Sequence, residues 1–161
     1  MKPLPEPVSR VADFLRMNAV EARIEEFAEG TPTAVDAARA VGAKLGQIVK
    51  SVVLACDGRF VVALIPGDRR ADLDKIGRAA GCSRTRIARP DEVLAATGFE
   101  VGAVAPFPLP KIDRVYVDRT LLAQKRVWVG AGSTSHMAGL APPDLVRLAR
   151  AQPMDAVEPS P

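Results

Sequence analysis

The chain has 161 residues, 48% of them hydrophobic and 25% charged, the composition of one soluble globular domain with a core of its own. No apolar run approaches the ~20 residues of a membrane span, and the opening Met1-Lys2-Pro3-Leu4-Pro5-Glu6-Pro7 has no secretory apolar core, so a cytoplasmic protein is expected, with Cys56 and Cys82 as reduced thiols rather than a disulfide framework or metal site. The net charge of +3 divides unevenly: residues 42–126 carry 15 Lys/Arg against 9 Asp/Glu, the remainder 7 against 10.

Elements follow in chain order. Ser9 can cap a helix carrying Val11, Phe14 and Leu15 on one face. Glu21–Phe27 fits helix or strand, and the break at Gly30-Thr31-Pro32 favours an edge strand. Thr33 with Asp36 three residues on reads as a capping box opening an Ala-rich helix that ends near Gly42. Residues 48–65 form a hairpin about Asp57-Gly58, and Pro66-Gly67-Asp68 turns out of it. A helix over 71–80 buries Leu73, Ile76 and Ala80 and ends at Gly81. A strand at 84–88 precedes a helix from Pro90 to Gly98. Strands at 115–117 and 126–129 and a helix from Pro142 to about Ala151 complete the domain, 1–152, and the Pro-rich tail 153–161 is expected to be disordered. The elements lack a regular βαβ rhythm, so the expected fold is mixed α/β (α+β): a curved, mostly antiparallel sheet or partial barrel flanked by helices.

Lys50 stands out chemically, because it interrupts the first strand of an apolar hairpin. A cation there is costly unless it faces a cleft or an anion, or snorkels from the strand end to solvent. Three loops could carry chemistry. Small side chains in Val101-Gly102-Ala103-Val104-Ala105-Pro106 would let a ligand approach backbone N–H groups, as in an oxyanion hole. The same residues also suit a tight structural turn. Val129-Gly130-Ala131-Gly132-Ser133-Thr134-Ser135-His136 contains G-x-G without the rest of a dinucleotide fingerprint. Its His136 is the only histidine, with no thiol or carboxylate cluster for a metal. A Ser–His–Asp triad through Ser133 or Ser135 lacks the G-x-S-x-G elbow, and Asp144 is the closest acid downstream. Thr31-Pro32-Thr33 is the third loop, read as a helix cap. The basic middle suits a phosphate-bearing partner or a solvated surface, but no helix-turn-helix supports a DNA regulator.

Five segments in order resemble one family: Thr33…Ala37-Ala38, Gln47-Ile48-Val49-Lys50-Ser51, Gly102-Ala103-Val104-Ala105-Pro106-Phe107, Val127-Trp128-Val129-Gly130-Ala131-Gly132-Ser133 and Leu140-Ala141-Pro142-Pro143-Asp144-Leu145. Over residues 9–150 the chain is similar to the YbaK/EbsC group of free-standing aminoacyl-tRNA deacylases, relatives of the editing insertion domain of bacterial prolyl-tRNA synthetase. The resemblance implies trans-editing hydrolysis of misacylated tRNA, foremost tRNA(Pro) charged with Ala, Cys or Ser, without metal or other cofactor. It implies that Lys50 and Gly102 act in catalysis and that Thr33, Ser51, Ala103, Pro106, Gly132, Ser133 and His136 contact substrate; the missing triad context separately leads us to expect that His136 sets specificity rather than acting as general base. The expected partners are misacylated tRNA and prolyl-tRNA synthetase, with neither DNA nor membrane. Pro108-Leu109-Pro110 departs from the Gly-His that many members carry there, so the pocket rim differs. The competing reading is a non-catalytic tRNA- or synthetase-binding module of the same fold.

Overall fold

A computed structural model describes residues 3–27 and 33–160. Gly30, Thr31 and Pro32, read above as a chain break and part of a cap, lie outside them. Helix α1 (Glu6–Met17) buries Val8, Val11 and Leu15. It begins before the expected Ser9 cap because first-turn N–H groups have no intrahelical acceptor, so Pro7 gives up no hydrogen bond there. Strand β1 (Ile24–Glu26) is the expected edge strand. In α2 (Ala34–Val41) the Thr33 hydroxyl accepts from the Asp36 N–H at 3.1 Å, and Gly42 ends the helix in the left-handed region.

Strands β2 (Val49–Cys56) and β3 (Arg59–Pro66) pair antiparallel from Val49↔Pro66 to Cys56↔Arg59. Asp57 and Gly58 both take positive φ, 50° and 85°, which matches a two-residue hairpin turn to the strand twist. Helix α3 (Leu73–Ala80) leads to β4 (Thr85–Ile87) beside β2, and α4 (Pro90–Thr97) leads to β5 (Arg114–Asp118) parallel to β3. At the start of α4, the Arg86 guanidinium bonds the Glu92 carboxylate and the Arg89 N–H donates to it, and together they hold its pKa down to about 2. Strands β6 (Val127–Ser133) and β7 (His136–Leu140) then form a hairpin, α5 (Pro142–Ala149) follows, and β8 (Ala151–Met154) closes the order.

Two sheets result, β1-β7-β6 antiparallel and β4-β2-β3-β5-β8 mixed, joined by a parallel bridge between Ile48 and Trp128. Neither closes into a barrel. The main core lies between them and α1, where Leu15, Val62, Leu64, Phe99, Phe107, Val129 and Leu145 meet.

Three expectations are corrected. The segment read as a loop over 129–136 is mostly strand, because its small residues pair with β7. The tail expected to be disordered forms β8, parallel to β5 at the sheet edge, the one place where Pro153 costs the ladder nothing. Asp118, 1% exposed, then accepts from the Ala156 N–H at 2.8 Å, and Ala156 and Val157 are buried. Finally, Cys56 and Cys82 form a disulfide with Cα atoms 5.5 Å apart, inside the range for a bridge. Gly81 ends α3 so that Cys82 returns onto the end of β2, a meeting that a separation of 26 residues conceals.

Candidate active site

The start of α2, the start of β2, the 102–104 loop and the β6–β7 hairpin enclose a cleft of about 290 Å³. Six predicted residues line it: Thr33, Lys50, Ser51, Gly102, Ser133 and His136. Ala103, Pro106 and Gly132 do not. Ala103 is buried with its N–H on the Glu100 carbonyl. Pro106 borders a separate groove with Phe14, Pro108, Arg114 and Arg147. Gly132, with φ 102°, lies against the backbone of Pro7 and Val8. Val49, Val104, Gly130 and Met137 also line the cleft and were not singled out in the sequence. Gly130 was legible only as half of G-x-G. A Cβ there would sit 3.3 Å from the Val104 carbonyl oxygen, so its small size lets the 102–104 loop lie close on β6.

Lys50 is half-buried on β2, opposite Ile65. It faces the cleft, and its Nζ donates to the Arg69 carbonyl at 2.6 Å. Neither sequence alternative alone describes this: the turn after β3 supplies the anchor, and the cleft supplies the exposure. Burial pushes its pKa below the ordinary lysine value of 10.5, Asp68 opposes the shift, and Arg70 adds to it. An ammonium carries three donors, of which this bond takes one. Gly102 has φ 83°, and a Cβ on it would meet only the Thr134 methyl at 3.9 Å. Glycine is therefore required there by backbone conformation, not by crowding.

Residues directly opposite across antiparallel strands share a face. Ser133 opposes His136 across the β6–β7 hairpin, and His136 opposes Glu26 across β7–β1. The three side chains therefore form one row. His136 is 4% exposed, with Nδ1 2.6 Å from Ser133 Oγ and Nε2 3.5 Å from Glu26 Oε2. The Ser135 N–H donates to Ser133 Oγ at 3.1 Å. Sequence reading missed Glu26, because its nearness depends on strands 110 positions apart pairing in this register. Asp144, the acid noted from sequence, instead pairs with Arg147 on α5. Among the described residues no group of three His, Cys, Asp or Glu could hold a metal ion, and no helix is long and apolar enough to cross a membrane.

The mixed α/β scaffold thus brings a cation, a positive-φ glycine and a Ser–His pair around one small cleft. A crystal structure of a candidate trans-editing enzyme for prolyl-tRNA synthetase superimposes with a TM-score of 0.91 at 34% identity, covering 98% of this chain and 100% of that one. The chain belongs to the aminoacyl-tRNA editing domain family, whose model matches residues 28–148. It is 32% identical over 123 residues to the uncharacterized protein YwhH of Bacillus subtilis, covering 76% of this chain and 78% of that protein. It is also 32% identical over 136 residues to proline–tRNA ligase of Xanthomonas oryzae pv. oryzae, covering 84% of this chain but only 24% of the ligase.

Proposed function

We propose that this protein is a cytoplasmic trans-editing deacylase that hydrolyses the ester of misacylated tRNA, with Ala-, Cys- or Ser-charged tRNA(Pro) as substrate. The observation that carries this reading is the convergence of Lys50, Gly102, Ser133 and His136 on one cleft of about 290 Å³, a size suited to a small side chain. An aminoacyl ester is already activated, so its hydrolysis needs a placed water and oxyanion stabilisation more than a strong nucleophile. Lys50 anchors the terminal adenosine through its phosphate or ribose, using the donors that Arg69 leaves free. Backbone groups around Gly102 face the ester carbonyl and the water. Thr33 and Ser51 border the entrance, and Ser133 and His136 border the aminoacyl side chain. The partners are misacylated tRNA and prolyl-tRNA synthetase.

The test is a panel of tRNA(Pro), tRNA(Ala) and tRNA(Thr) charged with Ala, Cys, Ser or the cognate residue. Hydrolysis of at least one mischarged tRNA(Pro), with Pro-tRNA(Pro) spared, is expected. Binding of every tRNA with no hydrolysis of any would establish the binding module instead.

Gly102→Val extends the test to the loop. Positive φ costs a side-chain-bearing residue about 1–2 kcal/mol, whereas the rate should fall by roughly 100-fold, as when reacting groups are displaced by about 1 Å. Melting temperature and deacylation rate falling in proportion would reduce the loop to a structural role.

A further inference from the structure

The row Ser133–His136–Glu26 leaves one buried group unexplained. His136 Nε2 is buried and has no hydrogen-bond partner among the described residues, although Glu26 Oε2 stands 3.5 Å away. A neutral imidazole carries one N–H, on either nitrogen. If Nδ1 held it, the Nε2 lone pair would face a carboxylate, acceptor against acceptor. If Nε2 holds it, a proton and not a lone pair faces the Glu26 carboxylate 3.5 Å away, and Nδ1 accepts from the Ser133 hydroxyl at 2.6 Å. Ser133 Oγ in turn accepts from the Ser135 N–H, with Ser135 Oγ at a longer 3.3 Å. In the second arrangement no acceptor is set against another acceptor.

We infer that Glu26 is a positioning residue that holds His136 in the Nε2–H tautomer and thereby turns Ser133 Oγ into a hydrogen-bond acceptor for a donor on the bound aminoacyl end. The consequence for substrate rests on the editing reading. The tautomer does not, and it is measurable without tRNA. Because Ser133 spends its proton on Nδ1 and one lone pair on the Ser135 N–H, it can face the cleft only with its remaining oxygen lone pair. Glu26 is 55% exposed on an edge strand, so replacing it leaves the core untouched.

His136 is the only histidine, so ¹⁵N-histidine labelling reports a single imidazole. Long-range ¹H–¹⁵N spectra at pH 8 are expected to show the neutral Nε2–H form in the parent. In Glu26→Ala the Nδ1–H form should become populated, whereas Ser133→Ala should keep Nε2–H. Deacylation kcat/KM should fall by roughly 10-fold in Glu26→Ala, about the worth of one hydrogen bond. An Nδ1–H form or an imidazolium in the parent, or an unchanged tautomer in Glu26→Ala, overturns the inference. A correct tautomer response in a protein that deacylates nothing would leave Glu26 its role and remove the editing reading alone.

Discussion

Lys50→Ala is expected to lower kcat/KM for deacylation by roughly 10- to 150-fold, the equivalent of losing a charge-assisted hydrogen bond of about 1.5–3 kcal/mol. The fold should survive. The lysine is half-buried at the cleft and donates a hydrogen bond to the Arg69 carbonyl at 2.6 Å, and that carbonyl belongs to a turn on the surface. The pH response has opposite signs for binding and for folding. Burial holds the Lys50 pKa below 10.5, so rising pH removes this cation, and the anchoring it provides, before it would neutralise an exposed lysine. Between the lowered folded value and 10.5 the unfolded chain binds more protons, so this group's contribution to stability increases with pH. Kinetics at sub-saturating substrate decide the matter: equal turnover by mutant and parent would mean that Lys50 only ties β2 to the turn after β3.

Gly132→Ala is expected to be the most destabilising small substitution in the β6–β7 hairpin. The residue has φ 102°, and a Cβ would stand 2.8 Å from the Pro7 carbonyl carbon and oxygen and 2.9 Å from the Val8 nitrogen. Those are backbone atoms at the start of α1, so relief requires moving the helix off the strand. Overpacking at about 1–3 kcal/mol, with about 1–2 kcal/mol for positive φ, suggests a loss of about 3 kcal/mol. At roughly 2–4 °C per kcal/mol for a domain of this size, the melting temperature should drop by about 6–12 °C. Gly130→Ala is the comparison: its Cβ would meet the Val104 oxygen at 3.3 Å without a positive φ. A Gly132→Ala melting temperature within 2 °C of the parent would show that α1 does not press on β6 as described.

The hairpin about Asp57-Gly58, the Thr33 cap, the Gly42, Gly81 and Gly98 helix ends and the apolar alternation of β2 and β3 were all written locally. Turn chemistry, capping and burial period act over a few residues, so sequence alone determines them. The lysine in an apolar strand likewise declared itself as a candidate site residue. Other features depended on partners far along the chain. Gly132 looked like part of a ligand-binding loop because G-x-G is ambiguous, and only the arrival of Pro7 shows that its smallness serves packing. The Pro-rich end became a strand because β5 and the Asp118 carboxylate were there to pair with it. Cys56 met Cys82 through the return of α3, and His136 met Glu26 through the register of β1 on β7. Composition and spacing therefore determined the helix ends, the β2–β3 hairpin, the lysine and the 102–106 glycine loop, but not the strand over 129–133 or β8. Strand register and helix packing decided which side chains face each other, because such contacts are long-range terms with no local signature in the residues that make them.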